Sequence, residues 1–170
     1  MVEKYTVRLE KAEFVFSAAH FITFDGNICE PIHGHNYGVF AEIEGPLDEN
    51  QYVVDFIAAQ KSLRSLIDQL DHHVMLPLHH PQITLTVEES EVTARFAERR
   101  WVFPRQECAL LPVENTTAEA VAAWLGSQFQ DAITSVMPNP PTRIRLGIDE
   151  CNGQWGIWNW QAPVRAPLAE

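Results

Sequence analysis

The chain is poor in cysteine and poor in positive charge. Its three cysteines are odd in number and scattered, with no CxxC pair. That excludes a disulfide framework and a four-thiolate metal knot, and it points to a reducing, cytoplasmic compartment. Twelve Lys and Arg stand against 23 Asp and Glu, a formal net charge of -11. Nucleic acid and anionic membrane both demand basic surfaces, so neither is an expected partner. No apolar run approaches the length that spans a bilayer. The opening residues, Met1 to Tyr5, lack a signal-like apolar stretch. No internal repeat or low-complexity tract breaks the 170 residues, which fit one domain with a real core.

What the chain does have is a concentration of histidine around one cysteine. Cys29-Glu30-Pro31-Ile32-His33-Gly34-His35-Asn36-Tyr37 places two histidines two residues apart. In an extended segment, residues i and i+2 face the same way, so His33 and His35 project together. A third histidine, His20, ends the run Phe14 to His20. Three neutral imidazoles that leave a fourth position open suit a catalytic Zn²⁺, whereas structural zinc sites are closed by four ligands.

Periodicity outlines the fold. Residues 5–16 and 37–44 carry strand patterns. Asp55 can cap a helix running to about Leu70, with Phe56, Ala59, Leu63, Leu66, Ile67 and Leu70 on its apolar face. Ile83–Val87, Val92–Phe96 and Trp101–Phe103 read as a β excursion. A second helix is predicted over about 117–136, with Val121, Leu125, Phe129 and Ile133 at four-residue spacing, stopped by Pro138 to Pro141. Strands near 142–149 and 154–161 follow, and 162–170 is a tail. The predicted architecture is α+β: an antiparallel sheet with two helices on one face. Its sheet edges would be left open, and proteins usually cover or pair such edges.

The ordered motifs Phe16-Ser17-Ala18-Ala19-His20, Cys29-x3-His33-Gly34-His35-Asn36-Tyr37, Leu70-Asp71-His72-His73, Asn115-Thr116-Thr117-Ala118-Glu119 and Asp149-Glu150-Cys151 resemble the 6-pyruvoyl-tetrahydropterin synthase / 6-carboxy-tetrahydropterin synthase family. The likeness covers most of the chain; short family members lack residues 76–113. It implies a tunnelling fold, a homohexamer, Zn²⁺ held by His20, His33 and His35, and 7,8-dihydroneopterin triphosphate as substrate. It implies Cys29 as a proton shuttle, Asp71 and His72 as an acid/base pair at a subunit interface, and Glu150 as the pterin anchor. Thr117 and Glu119 would lie in the pterin pocket, although Thr116-x-x-Glu119 also reads as a helix capping box.

Glu30 opens a fork. One branch of the family makes 6-carboxy-tetrahydropterin with a cysteine at the position of Cys29. Another cleaves the side chain to 6-hydroxymethyl-dihydropterin with a glutamate at the position of Glu30. This chain has both residues. The 6-carboxy product leads, with 6-pyruvoyl-tetrahydropterin and the folate-type cleavage as alternatives. A non-catalytic pterin- or metal-binding protein is the alternative of another class, opposed by the acid/base set. Four further residues, Arg95, Arg99, Arg100 and Arg105, lie among Glu88, Glu89, Glu91, Glu98 and Glu107 and read as a solvated mixed-charge face. His79 and His80 read as surface residues and Cys108 as a buried, inert thiol.

Overall fold

The computed structural model describes residues 3–163. One sheet organises it. Its longest strand is β5 (His33–Gly45), against which β1 (Tyr5–Leu9) and β2 (Val15–His20) pair antiparallel in succession. β1 takes Ala41 to Gly45, and β2 takes His33 to Gly38. The predicted strand over 5–16 is thus two strands, broken by a turn in which Phe14 N donates to Lys11 O. Short β3 (Thr23–Phe24) and β4 (Ile28–Cys29) form a separate ladder. On the other side of β5 lie β11 (Arg143–Asp149) and β12 (Trp155–Gln161), both antiparallel.

Two strands absent from the sequence reading complete the sheet. β6 (His73–Pro77) pairs parallel to β2, and β10 (Cys108–Leu111) pairs parallel to β6. The sheet is therefore mixed at one edge and antiparallel elsewhere. Between these strands, β7 (Thr84–Val87), β8 (Glu91–Phe96) and β9 (Arg99–Pro104) form the β excursion as a three-stranded antiparallel sheet.

Two helices cover one face. In α1 (Phe56–Ile67), the Asp55 carboxylate caps the N–H groups of Ile57 and Ala58. Its inner stripe is narrower than the sequence reading: Ala59, Leu63 and Ile67 are buried, whereas Phe56 is 55% exposed. Leu70 is buried beyond the helix end. α2 (Ala118–Thr134) buries Val121, Leu125, Phe129 and Ile133, as its four-residue spacing requires. These residues meet Tyr37, Val39, Ala41 and Ile43 of β5 and Ile144, Leu146 and Ile148 of β11 in the main core.

A second apolar cluster lies under the excursion and contains Phe21, Cys29, Leu76, Val92, Ala94 and Cys108. It ties the excursion to the segment following β2. Among the described residues no helix is long and apolar enough to cross a membrane. At the C-terminal end, Ala162 N donates to Thr142 O; residues 164–170 of the expected tail lie outside the described residues.

Candidate active site

The paired register of β2 and β5 builds the histidine group. His20 lies opposite His33 and Ala18 opposite His35, so alternation puts all three imidazoles on the helix-covered face. Gly34 permits this approach: a Cβ there would stand 3.0 Å from the Ala18 carbonyl oxygen. One ligand atom from each of His20, His33 and His35 lies within 4.8 Å of the others.

The backbone fixes which nitrogens are available. His20 Nδ1 faces Thr116 O at 2.8 Å, and His33 Nδ1 faces Pro31 O at 3.0 Å. A carbonyl only accepts, so each Nδ1 carries the hydrogen and each Nε2 keeps its lone pair. His20 is 1% exposed, and its Nε2 has no hydrogen-bond partner among the described residues. Burial lowers its pKa to about 4, keeping the imidazole neutral. Glu150 Oε1 stands 3.4 Å from that Nε2, and Glu30 Oε2 stands 3.8 Å from His33 Nε2. Imidazole lone pairs flanked by carboxylate oxygens form a donor set suited to a cation. Neutral nitrogen donors without a thiolate fit Zn²⁺.

Glu150 belongs to the β11–β12 turn rather than to a strand. β11 ends at Asp149, whose carboxylate accepts from the N–H groups of Gly153 and Gln154. Asn152 and Gly153 adopt positive φ of 46° and 100° there. Glu150 N donates to Gln154 O, fixing the backbone from which the carboxylate reaches His20.

The start of α2 forms another wall. Thr117 is its N-cap, accepting from Ala120 N at 3.3 Å. The N-cap therefore falls one residue later than the expected capping box at Thr116 and Glu119, and with Ala120 three residues on, no such box forms. Thr116 is buried: its hydroxyl donates to Phe21 O and its carbonyl holds His20. Asn115 Oδ1 accepts from Thr116 N, and its Nδ2 donates to Thr23 O. Glu119 is exposed. Gly156 of β12 lets this turn pack closely, because a Cβ there would lie 2.6 Å from Glu119 N.

Cys29 and Glu30 point to different surroundings. The Cys29 sulfur sits in the second apolar cluster and is 8% exposed. Burial pushes its thiol pKa up; Arg99 opposes the rise and Glu30 adds to it. The Glu30 carboxylate instead faces His33.

Asp71 and His72 are oriented together. Asp71 Oδ1 accepts from Ser17 N at 2.8 Å and lies 3.1 Å from His72 Nδ1. The Ser17 N–H, then His72, hold the Asp71 pKa below its ordinary value. His72, at φ 60°, donates its N–H to Ser17 O. Its side chain is 82% exposed. It lines an open cleft of about 420 Å³ with Ser17, Ala18, Ala19, Gly34, His35 and Asn36, so the cleft borders one of the three histidines.

Three features lay outside the sequence reading. Tyr37 is 1% exposed, its hydroxyl has no partner among the described residues, and its ring meets those of His20 and His35 edge-on. Burial, then Glu150, raises its pKa, so it remains a hydrogen-bond donor. Arg99 donates to the carbonyls of Cys29 and Glu30, unlike a residue of a solvated face. His80, expected on the surface, is half-buried: Nδ1 accepts from Gln82 N and Ile83 N, and Nε2 donates to Thr23 Oγ1. A tyrosine after two aligned histidines is the only one of these carrying a local sequence signal.

Comparison with known proteins agrees with this architecture. A family model described as 6-pyruvoyl tetrahydropterin synthase matches residues 9–157. A Methanocaldococcus jannaschii protein, provisionally named 6-carboxy-5,6,7,8-tetrahydropterin synthase, is 29% identical over 151 residues, covering 88% of this chain and 92% of that one. A Pyrococcus abyssi protein with the same provisional name is 31% identical over 115 residues, covering 67% and 68%. The crystal structure of Plasmodium vivax 6-pyruvoyl tetrahydropterin synthase superposes with a TM-score of 0.86 at 23% identity, covering 95% of this chain and 100% of that one. The chain belongs to the 6-pyruvoyl tetrahydropterin synthase family, whose members are pterin-forming enzymes of lyase type.

Proposed function

We propose that the protein is a zinc-dependent lyase that converts 7,8-dihydroneopterin triphosphate to 6-carboxy-5,6,7,8-tetrahydropterin, on a route to 7-deazapurines. The observation that carries the metal reading is the buried, unpartnered Nε2 of His20 beside His33 and His35. The product follows the names of the curated relatives. Bound zinc would polarise the substrate's side-chain hydroxyls as a Lewis acid.

The chain's own residues divide the remaining work. Glu150 can accept two hydrogen bonds from the amino-pyrimidinone edge of the pterin. Thr117 and Glu119 line the ring's approach at the N-terminus of α2. Tyr37 can donate its unpaired hydroxyl. Cys29 or Glu30 moves protons at the substrate side chain, with Asp71 and His72 as the supporting acid/base pair. His72 stands exposed beside Asp71 on an open cleft, which supports their serving a site shared with another copy in a homohexamer. The enzyme works in the cytoplasm on a soluble triphosphate.

A specific observation favours a second reading. Glu30 Oε2 lies 3.8 Å from His33 Nε2 while Cys29 is buried in an apolar cluster. A carboxylate base at that position suits retro-aldol cleavage to 6-hydroxymethyl-dihydropterin. A Plasmodium vivax structure in this fold is described as carrying a catalytic glutamate replaced by alanine.

The test is product identification by mass spectrometry for wild type, Cys29→Ala and Glu30→Gln. A 6-carboxy product that disappears with Cys29 supports the leading reading. A 6-hydroxymethyl product that disappears with Glu30 supports the second. Pterin binding without any turnover would overturn both.

A further inference from the structure

The β excursion reaches back to the loop that carries both candidate bases. Arg99, at the start of β9, donates from Nη1 to Cys29 O at 2.5 Å and from Nη2 to Glu30 O at 2.9 Å. Its guanidinium lies over the Trp101 indole, 4.6 Å from the ring centroid. Trp101 in turn stacks on Phe21, with centroids 4.6 Å apart and planes 15° apart. Phe21 directly follows the buried His20. A stack of guanidinium, indole and phenyl thus joins the Cys29–Glu30 loop to the strand end that carries a candidate metal ligand. Arg95 and Arg100, on the same small sheet, are exposed.

The clamp acts on a loop with two possible presentations. Neighbouring residues in extended chain face opposite sides, so Cys29 and Glu30 cannot readily share one orientation. In this structure Glu30 N donates to Ile22 O, and Arg99 holds the carbonyls of Cys29 and Glu30 on either side of that residue. With those bonds made, the thiol stays among Phe21, Leu76 and Cys108, and the carboxylate faces His33.

We infer that Arg99 is a positioning residue that sets which base, the Glu30 carboxylate or the Cys29 thiol, faces the three-histidine site. The inference rests on the proposed proton-transfer role of that site. Only arginine can do this in place: its planar fork bonds two carbonyls at once while its Cζ sits over an indole. Lysine supplies a point charge with no such fork.

The test compares wild type, Arg99→Ala and Arg99→Lys by two readouts. The first is the rate of iodoacetamide alkylation at each cysteine, resolved by peptide mass spectrometry. Cys108 shares the apolar cluster and reports general loosening. The second is the ratio of pterin products. Releasing the clamp is expected to raise Cys29 alkylation about tenfold or more with Cys108 unchanged, and to change the ratio of Cys29-dependent to Glu30-dependent pterin from that of wild type. Arg99→Lys is expected to behave like Arg99→Ala, and it carries the test alone should the alanine variant not fold. Three results would overturn the inference: Cys29 and Cys108 becoming reactive together, neither becoming reactive, or an unchanged product ratio. Absence of turnover in the wild type would count against the proposed function instead, because alkylation reads the loop without needing the reaction.

Discussion

His20 Nε2 faces Glu150 Oε1 at 3.4 Å, while the imidazole's hydrogen lies on the other nitrogen, turned to the Thr116 carbonyl. Two electron pairs meet there, and among the described residues no donor stands between them. A buried acceptor without a partner costs about 1–3 kcal/mol. A fold that retains one beside two more imidazoles and two carboxylates is arranged for a cation.

Removal of His20 should therefore abolish tight metal binding. Losing even an outer partner of a metal ligand costs roughly 10–100-fold in affinity. His20→Ala should exceed that in a zinc competition titration. Zinc at about 100 times its dissociation constant should stabilise wild type by about 2.7 kcal/mol and leave the variant unmoved. Equal stabilisation of both would place the metal elsewhere.

Tyr37→Phe separates stability from function. The hydroxyl is buried and bonds to none of the described residues, so its removal should leave thermal stability unchanged or raise it by up to about 1 kcal/mol. Turnover should fall if the hydroxyl donates to substrate. A destabilised variant would mean that the hydroxyl already has a partner.

Gly156→Ala tests how closely β12 approaches the start of α2. The added Cβ would meet Ala118 C at 2.5 Å and Glu119 N at 2.6 Å. Both are backbone atoms, so the turn containing Thr117 must move. Overpacking of this kind costs about 1–3 kcal/mol, measurable as a lower urea midpoint. Pterin affinity should weaken with it.

Asp71→Ala should cost stability in a pH-dependent way. The folded-state pKa of Asp71 is lowered, first by the Ser17 N–H and then by His72. Its stabilisation is present above the unfolded carboxyl value and is lost as pH falls through the folded one. Urea unfolding should show a deficit of roughly 1 kcal/mol at pH 7 that narrows in acid. A deficit independent of pH would mean that the carboxylate charge contributes nothing.

Legibility in the sequence followed the range of the interactions. α2 was readable because Val121, Leu125, Phe129 and Ile133 repeat locally, and α1 because Asp55 precedes its apolar stripe. β11 and β12 were bounded by a turn whose residues signal themselves. β6 and β10 were not readable: His73–Pro77 and Cys108–Leu111 are short, lack alternation, and pair in parallel across some thirty intervening residues. At the site, spacing paired His33 with His35, the family resemblance added His20, and the paired register of β2 and β5 brings the three together. The Arg99 clamp escaped because its partners are carbonyls seventy residues away, which no side-chain pattern reveals. The opposed facing of Cys29 and Glu30 is likewise a property of the folded loop.

The most direct single measurement is turnover of 7,8-dihydroneopterin triphosphate by protein stripped with a chelator and then reloaded with one equivalent of zinc. Stripping should abolish product while circular dichroism stays folded, because two apolar clusters hold the fold without the metal, and reloading should restore the rate. Full turnover by the stripped protein would contradict a metal centre at His20, His33 and His35.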